Sequence, residues 1–284
     1  MLKIFNYLLQ SLLIYFFFII AKILRIKLSR VIFAKFFSLA GPIFKSKKII
    51  FKNLKIYSKN ISESEINKIS RNMWKNYGMT FVEYMFLKNF RNGNAHITLK
   101  GENKLSVIND TKPVIFVSGH FANFELMAME ITKKNIKLAT IYRPLNNIFL
   151  NPTMEYLRKK YVCKNQIKKG INGVREAINY IKNDHSIALM IDQRVSEGDK
   201  VNFFGKPALT TTLPAQLSEK YKLNIIPVFI ERVGFEKFNL EFQEVIKPND
   251  FKDKLDLTNK LNKVLEKMIE KNPNQWIWTH NRWK

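Results

Sequence analysis

Two periodicities divide this chain. Up to about residue 90 the apolar positions recur at helical spacing, and beyond it short apolar runs alternate with helical stretches. The sharpest run is Val114-Ile115-Phe116-Val117, bounded by Pro113 before it and Ser118-Gly119 after it, which predicts a buried strand feeding a tight turn. Asn123 is placed to cap a helix whose apolar positions begin at Phe124 and Leu126, with Glu125 in its first turn. Further strands are expected near 96–100, 137–142, 186–192, 224–230 and 239–246. Helices are expected over 147–160, 170–182, 214–221 and 255–271. This order predicts an α/β domain with a mixed, largely parallel sheet flanked by helices. No repeat, low-complexity tract or interdomain linker stands out.

Toward the N-terminus, Ser62 and Glu65 form a capping box ahead of Ile66, Ile69, Met73, Trp74 and Tyr77 at helical spacing. That stripe, with Phe81, Tyr84 and Met85 beyond it, is expected to be core. Residues 4–24 are nearly all apolar and 12–21 are unbroken, long enough to cross a bilayer as a helix. Asn6, Gln10 and Ser11 fit a helix lying in the interface equally well. No small-x-small cleavage site follows, and Lys22, Arg25, Lys27 and Arg30 come after the run against Lys3 before it. The positive-inside rule then puts the following domain in the cytoplasm. Residues 1–30 are therefore expected to be a membrane anchor and 31–284 the folded domain, with 31–44 packed on it.

The net charge of +25 is mostly lysine spread over all 284 residues, without an Arg-rich block or a nucleic-acid motif. It suits an anionic membrane surface or an acidic carrier protein better than nucleic acid. The single cysteine, Cys163, excludes an internal disulfide framework and a Cys-based zinc site. No His/Asp/Glu cluster has metal-ligand spacing and no Gly-rich loop reads as nucleotide-binding, so neither a metal nor a cofactor is expected.

His120 and Glu125 are the candidate chemistry. On one continuous helix they would point about 140° apart. They meet only if His120 sits in the turn ahead of the helix and Glu125 reaches back to it. A histidine so held suits general-base chemistry on a hydroxyl, with nearby helix-start N–H groups to receive an oxyanion. A histidine bonded to a carbonyl behind a helix cap would have the same spacing. In parallel sheets ligand groups collect past the carboxyl ends of strands, and His120, Arg143 and Asp192 all fall there. His96 and His185 lack acidic partners at matching spacing and are expected to be structural or exposed.

The run Ser118-Gly119-His120-Phe121-Ala122-Asn123-Phe124-Glu125 resembles the His-x4-Asp/Glu motif of the glycerolipid acyltransferase superfamily. It is followed by Tyr142-Arg143-Pro144-Leu145-Asn146-Asn147, Asp192-Gln193-Arg194, Phe203-Phe204-Gly205-Lys206-Pro207-Ala208, Ile226-Pro227-Val228-Phe229 and the block 275–284. In that order and approximate spacing the chain is most similar to the bacterial lipid A biosynthesis acyltransferases of the lauroyl/myristoyl type. The resemblance implies a glycerol-3-phosphate acyltransferase-like fold and direct attack of a hydroxyl on a thioester without an acyl-enzyme. No Gly-x-Ser-x-Gly elbow is visible. It implies His120 as the base, Glu125 as its partner, Arg143 on the acceptor's phosphate, and Asp192, Gln193 and Arg194 holding the site together. The 202–207 segment would be a loop beside the acyl channel, with Lys206 near a phosphate. The donor implied is acyl carrier protein or acyl-CoA, and the acceptor a hydroxyl of a lipid A precursor at the cytoplasmic face of the inner membrane. A lysophospholipid, aminolipid or glycolipid acceptor fits the shared blocks as well. A non-catalytic membrane-binding protein of the same fold would be marked by loss of His120 or Glu125. Trp276, Trp278 and Trp283 fit either an interfacial belt or the core, and His280 fits packing or headgroup contact.

Overall fold

The computed structural model describes residues 2–44, 47–108 and 112–284. Among these residues nine strands form: β1 (Ile97–Lys100), β2 (Ile115–Ser118), β3 (Leu138–Tyr142), β4 (Asn165–Lys168), β5 (Ser186–Met190), β6 (Asp199–Phe203), β7 (Lys206–Thr210), β8 (Ile225–Val233) and β9 (Lys237–Phe242). Seven of them make one sheet in the order β1-β9-β8-β2-β5-β3-β4. Every pairing in it is parallel except β8 with β9, which are joined by a tight turn at Gly234. β2 lies at the centre and all four of its side chains are buried, as a strand covered on both faces requires. The helices are α1 (Leu2–Phe44), α2 (Lys47–Tyr57), α3 (Glu63–Glu83), α4 (Leu87–Asn92), α5 (Glu125–Lys133), α6 (Asn151–Leu157), α7 (Ile171–Lys182), α8 (Leu213–Tyr221) and α9 (Lys254–Lys271). The capping box at Ser62 and Glu65 forms at the start of α3. The stripe behind it is core at Ile66, Ile69, Met73 and Trp74, while Tyr77 is exposed.

α1 is not one rod. At Arg25 the backbone leaves helical geometry (φ 59°, ψ 165°), a conformation that a side chain rarely adopts. The chain doubles back there into two antiparallel arms. The Phe17 ring stands 5.5 Å from Phe33 and 5.5 Å from Phe36 across the arms, and Ser29 Oγ donates to the Ala21 carbonyl at 2.8 Å. The second arm lies along α3, as its core assignment predicts. Arg30 meets Glu83, and Phe37 packs on Tyr77 and Phe81. Two glycines permit this approach. A Cβ on Gly78 would overlap the Phe33 carbonyl oxygen, and one on Gly41 would overlap the Trp74 ring. The division expected at residue 30 thus falls inside the second arm, at a residue bonded to α3. The outer faces of both arms stay apolar, with Phe5, Leu12, Phe16, Ile19, Ile32 and Leu39 among the exposed side chains.

Local differences from expectation have physical causes. Asn123 does not cap α5; its Nδ2 donates to the buried Glu83 Oε2 at 2.9 Å, and Phe124 takes the cap position without a side-chain bond. The helix expected over 147–160 is shortened. α6 begins at Asn151, and the chain widens into a π turn at Arg158–Val162. The 202–207 segment is the two-residue turn of the β6–β7 hairpin, with Phe204 (φ 51°) and Gly205 (φ 72°) both left-handed.

Gly78→Ala tests the packing of the second arm. Overpacking against the Phe33 carbonyl should cost about 1–3 kcal/mol, read as a lowered unfolding midpoint in detergent, whereas Gly205→Ala, with open space around it, should leave the arm contacts intact.

Candidate active site

β2 and β5 are adjacent and in parallel register, with Ser118 opposite Met190. His120 and Asp192 each lie two residues past that pair and therefore emerge side by side. The His120 ring Nδ1 is 2.7 Å from Asp192 Oδ1, and the His120 backbone N–H donates to Asp192 Oδ2 at 2.7 Å. Trp276 Nε1–H donates to the same Oδ2 at 2.9 Å. Asp192 is fully buried and can only accept as a carboxylate, so Nδ1 carries the ring proton and Nε2 is left free. Burial opposes the charge on Asp192, but the His120 charge and its two hydrogen bonds outweigh it and hold the carboxyl below its ordinary value. Burial likewise disfavours the imidazolium, yet the Asp192 charge dominates and raises His120 above 6.5.

The loop between β2 and α5 is pinned from three sides. Ala122, in a left-handed conformation (φ 44°), gives its carbonyl to Thr80 Oγ1 at 3.0 Å. Its N–H bonds the Gln275 carbonyl at 3.3 Å, and Phe121 bridges to Trp276. Behind the loop lies a buried cluster. Glu83 accepts from Arg30 Nε at 2.6 Å, from Arg232 at 2.6 and 3.0 Å, and from Asn123. Desolvation works against this carboxylate, but the two guanidiniums outweigh it and lower its pKa.

Glu125 does not reach back to His120. It lies in an ion pair with Arg158 (2.7 Å; Nε to Oε1 2.8 Å) and also accepts the Tyr84 hydroxyl, which in turn accepts from Arg158 Nη2 at 3.1 Å. Arg158 stands at the junction of α6 and the π turn at 158–162. The carboxylate on the histidine is Asp192, and the carboxylate of the motif holds an arginine. Sequence reasoning missed Arg158, Tyr84 and the Trp276 bond. Arg158 sits in a basic run like several others, and Trp276 fits an interfacial belt or the core without its indole N–H pointing to a partner.

These groups share one cavity of about 620 Å³. His120, Glu125 and Arg158 line it together, and Met127, Ala128, Ile141, Val162, Ala188 and Leu189 give it apolar lining. Arg143, Gln193, Arg194 and Lys169 lie on its polar side, with Arg143 and Lys169 exposed. Ile14 and Phe18 of the first arm close it from the other side. Lys206 is exposed at the β6–β7 turn and does not line this cavity. The hairpin packs Phe203 under Trp283 and beside Trp276 instead. Trp276 and Trp278 are core, as one of the two expectations had it. His280 is half-buried, with its pKa lowered by burial; its carbonyl accepts from Asn53. His96 packs on Phe90 away from the cavity, and His185 is only partly buried, on Tyr180. Among the described residues no group of three or more His, Cys, Asp or Glu side chains is placed to hold a metal ion.

The model of the family "Bacterial lipid A biosynthesis acyltransferase" matches residues 1–284. The chain belongs to that family. It is accordingly an enzyme that transfers acyl groups to lipids. Comparison with curated protein sequences gives no match. Among solved structures, the 1-acyl-sn-glycerophosphate (LPA) acyltransferase PlsC from Thermotoga maritima is similar at 14% identity and a TM-score of 0.44, over 95% of this chain and 99% of that one.

Two predictions follow from the pair of carboxylates. With His120 acting as the base, the neutral ring is the reactive form, and kcat/KM should then fall on the acid side with an apparent pKa above 6.5. Asp192→Asn removes the charge that favours the imidazolium, so that limb should move to lower pH while the rate drops by roughly 10²–10⁴. Glu125→Gln should leave the limb much closer to its original position. A pH–rate profile of the three proteins decides it, and a larger shift for Glu125→Gln would reverse the assignment. Separately, Glu83→Ala strands two buried guanidiniums and should cost about 3–5 kcal/mol, seen as a lowered unfolding midpoint.

Proposed function

We propose that this acyltransferase moves a fatty acyl chain from an acyl carrier protein thioester, or acyl-CoA, to a hydroxyl of a lipid A precursor. The observation that carries the mechanism is the Asp192-held His120, with Nε2 free, lining a cavity that also presents apolar side chains and the cations Arg143, Arg158, Lys169 and Arg194. Nε2 takes the proton of the acceptor hydroxyl as its oxygen attacks the thioester carbonyl. The tetrahedral oxyanion collapses with cleavage of the C–S bond, and the imidazolium returns the proton to the departing thiolate. Of the helix-start N–H groups, those of Leu126 and Met127 are not available to that oxyanion, because they already donate to the Asn123 and Phe124 carbonyls. Arg158, fixed by Glu125 and lining the cavity, is the group suited to the task. Arg143 and Lys169 at the exposed side suit a phosphate on the acceptor, with Gln193 and Arg194 beside them. Lys206 has no part in this reading.

The surplus of lysine fits an acidic carrier and an anionic membrane. The helix Leu2–Ile43 is apolar enough to cross a bilayer by length and composition. Its two arms are held against the domain along much of their length, by Tyr15 on Phe149 and Thr153, Phe18 on Phe81, and Arg30 on Glu83. A helix bonded to the domain on one side and apolar on the other suits seating in one leaflet rather than crossing. The cytoplasmic face of the inner membrane fits this seating, because an anionic leaflet there would meet the surplus of lysine and the lipid A pathway of the family supplies the acceptor.

The test is acyl transfer from labelled acyl carrier protein in mixed micelles, offering a Kdo-bearing lipid A precursor and a lysophospholipid in parallel. Transfer to the precursor is expected, with His120→Ala slower by at least roughly 10²–10⁴. Arg143→Ala should raise the acceptor KM about tenfold, the worth of one lost charge-assisted contact, and spare slow thioester hydrolysis. Transfer to the lysophospholipid alone overturns the acceptor, and undiminished activity of His120→Ala overturns the mechanism.

A further inference from the structure

The loop that follows β3 carries Arg143 on the cavity rim and then exposes three apolar side chains in quick succession: Leu145, Ile148 and Phe149 at 37%, 57% and 37% of full exposure. Exposed apolar side chains so close together on a loop imply a partner surface. This loop is not free to move on its own. Asn147, buried, donates from Nδ2 to the Tyr7 carbonyl of α1 at 2.8 Å, and its Oδ1 accepts the Phe149 and Leu150 N–H groups. Tyr15 of the same arm donates to the Phe149 carbonyl and meets Thr153 Oγ1, both at 2.8 Å. The loop is therefore clipped at two points to the most apolar helix in the chain, beside its exposed Leu8 and Leu12. Tyr156, Lys159 and Lys160, all exposed, continue the patch with the aromatic and cationic chemistry of a bilayer interface.

The cavity opens at the same place. Its exposed lining residues on this side are Arg143, Leu145, Asn146 and Lys169, so the rim passes from cations to apolar side chains within a few residues. In a leaflet that order matches the passage from the phosphate plane to the acyl region.

We propose that the 145–149 loop is a second bilayer-inserting element, docked on the first arm of α1. It seats the cavity mouth at the phosphate plane, so that a phosphorylated lipid enters sideways between loop and helix without leaving its leaflet. The occupant of the patch is the anionic lipid surface itself. The inference rests on the one-leaflet seating proposed above, and the experiment separates the two.

Single nitroxide labels are placed by Phe16→Cys on the first arm, Ile148→Cys on the loop and Lys206→Cys on the β6–β7 turn of the full chain. None of these residues lines the cavity except by neighbourhood, and Cys163 stays unlabelled because it is buried and its thiol is pushed up to about 11. In vesicles of phosphatidylethanolamine and phosphatidylglycerol at about three to one, an anionic surface, accessibility to oxygen and to a water-soluble nickel chelate is compared. Labels at 16 and 148 should both read as lipid-immersed and 206 as aqueous. If 148 reads as aqueous while 16 is immersed, the loop inference fails and the seating stands. If both read as aqueous, the seating fails and the loop inference with it. As a second readout, the Ile148→Asp/Phe149→Asp double variant should partition into these vesicles roughly tenfold less and raise the KM for vesicle-borne acceptor. Its turnover on micelle-dispersed acceptor should be unchanged. Equal loss in both formats would make the loop a structural part of the site and overturn the proposal.

Discussion

The site depends on the parallel register of β2 against β5. Because Ser118 faces Met190, the residues two positions further on are thrown out at one level, and the chain has placed a histidine at one and an aspartate at the other. Asp192 then does three things with two oxygens: it fixes the His120 ring, the His120 backbone and the Trp276 indole. A carboxylate taken wholly out of water is tolerated only when hydrogen bonds and a partner offset its charge. That requirement ties the loop, the tautomer and the C-terminal block together, the last of these through Trp276.

A second buried carboxylate ties this centre to the apolar arms. Glu83 collects Arg30 from the N-terminal segment, Arg232 from β8 and Asn123 from the catalytic loop. Through Asn123, and through Thr80 on the Ala122 carbonyl, α3 holds the loop that carries His120. Through Arg30 it holds the second arm. The arm is thus built into the domain's charge balance, and α3 is the helix that joins it to the loop carrying His120.

Much of this was readable from the chain. β2, β3 and β5 announced themselves as short apolar runs, and the residues just past their ends were rightly expected to gather. Which strands lie side by side was not readable, because adjacency in a parallel sheet is set by crossovers far apart in sequence. Glu125, five residues along, was therefore the nearest carboxylate to assign to His120, and Asp192 was not weighed for that place. Arg158 was hidden among 48 lysines and arginines, and nothing in Leu-Arg-Lys-Lys announces a π turn. The bend at Arg25 carries no glycine or proline, while Gly41-Pro42, which looks like a stop, lies inside the helix. The β6–β7 hairpin had a signal that went unread. Val201 and Phe203 alternate with polar neighbours ahead of Phe204-Gly205, which is a strand running into a turn.

The exchange of carboxylates has a consequence for the base. Glu125 raises the His120 pKa and Arg158 lowers it, so the ion pair acts on the ring in opposing directions, and each acts less strongly than Asp192. Were Glu125 itself on the histidine, the base would face two carboxylates and a lone arginine would stand beside it. Pairing Glu125 with Arg158 instead sets a fixed cation near the ring with its counter-charge beside it. In the proposed attack on a thioester, that guanidinium would need no reorientation, because Tyr84 and Glu125 already hold it.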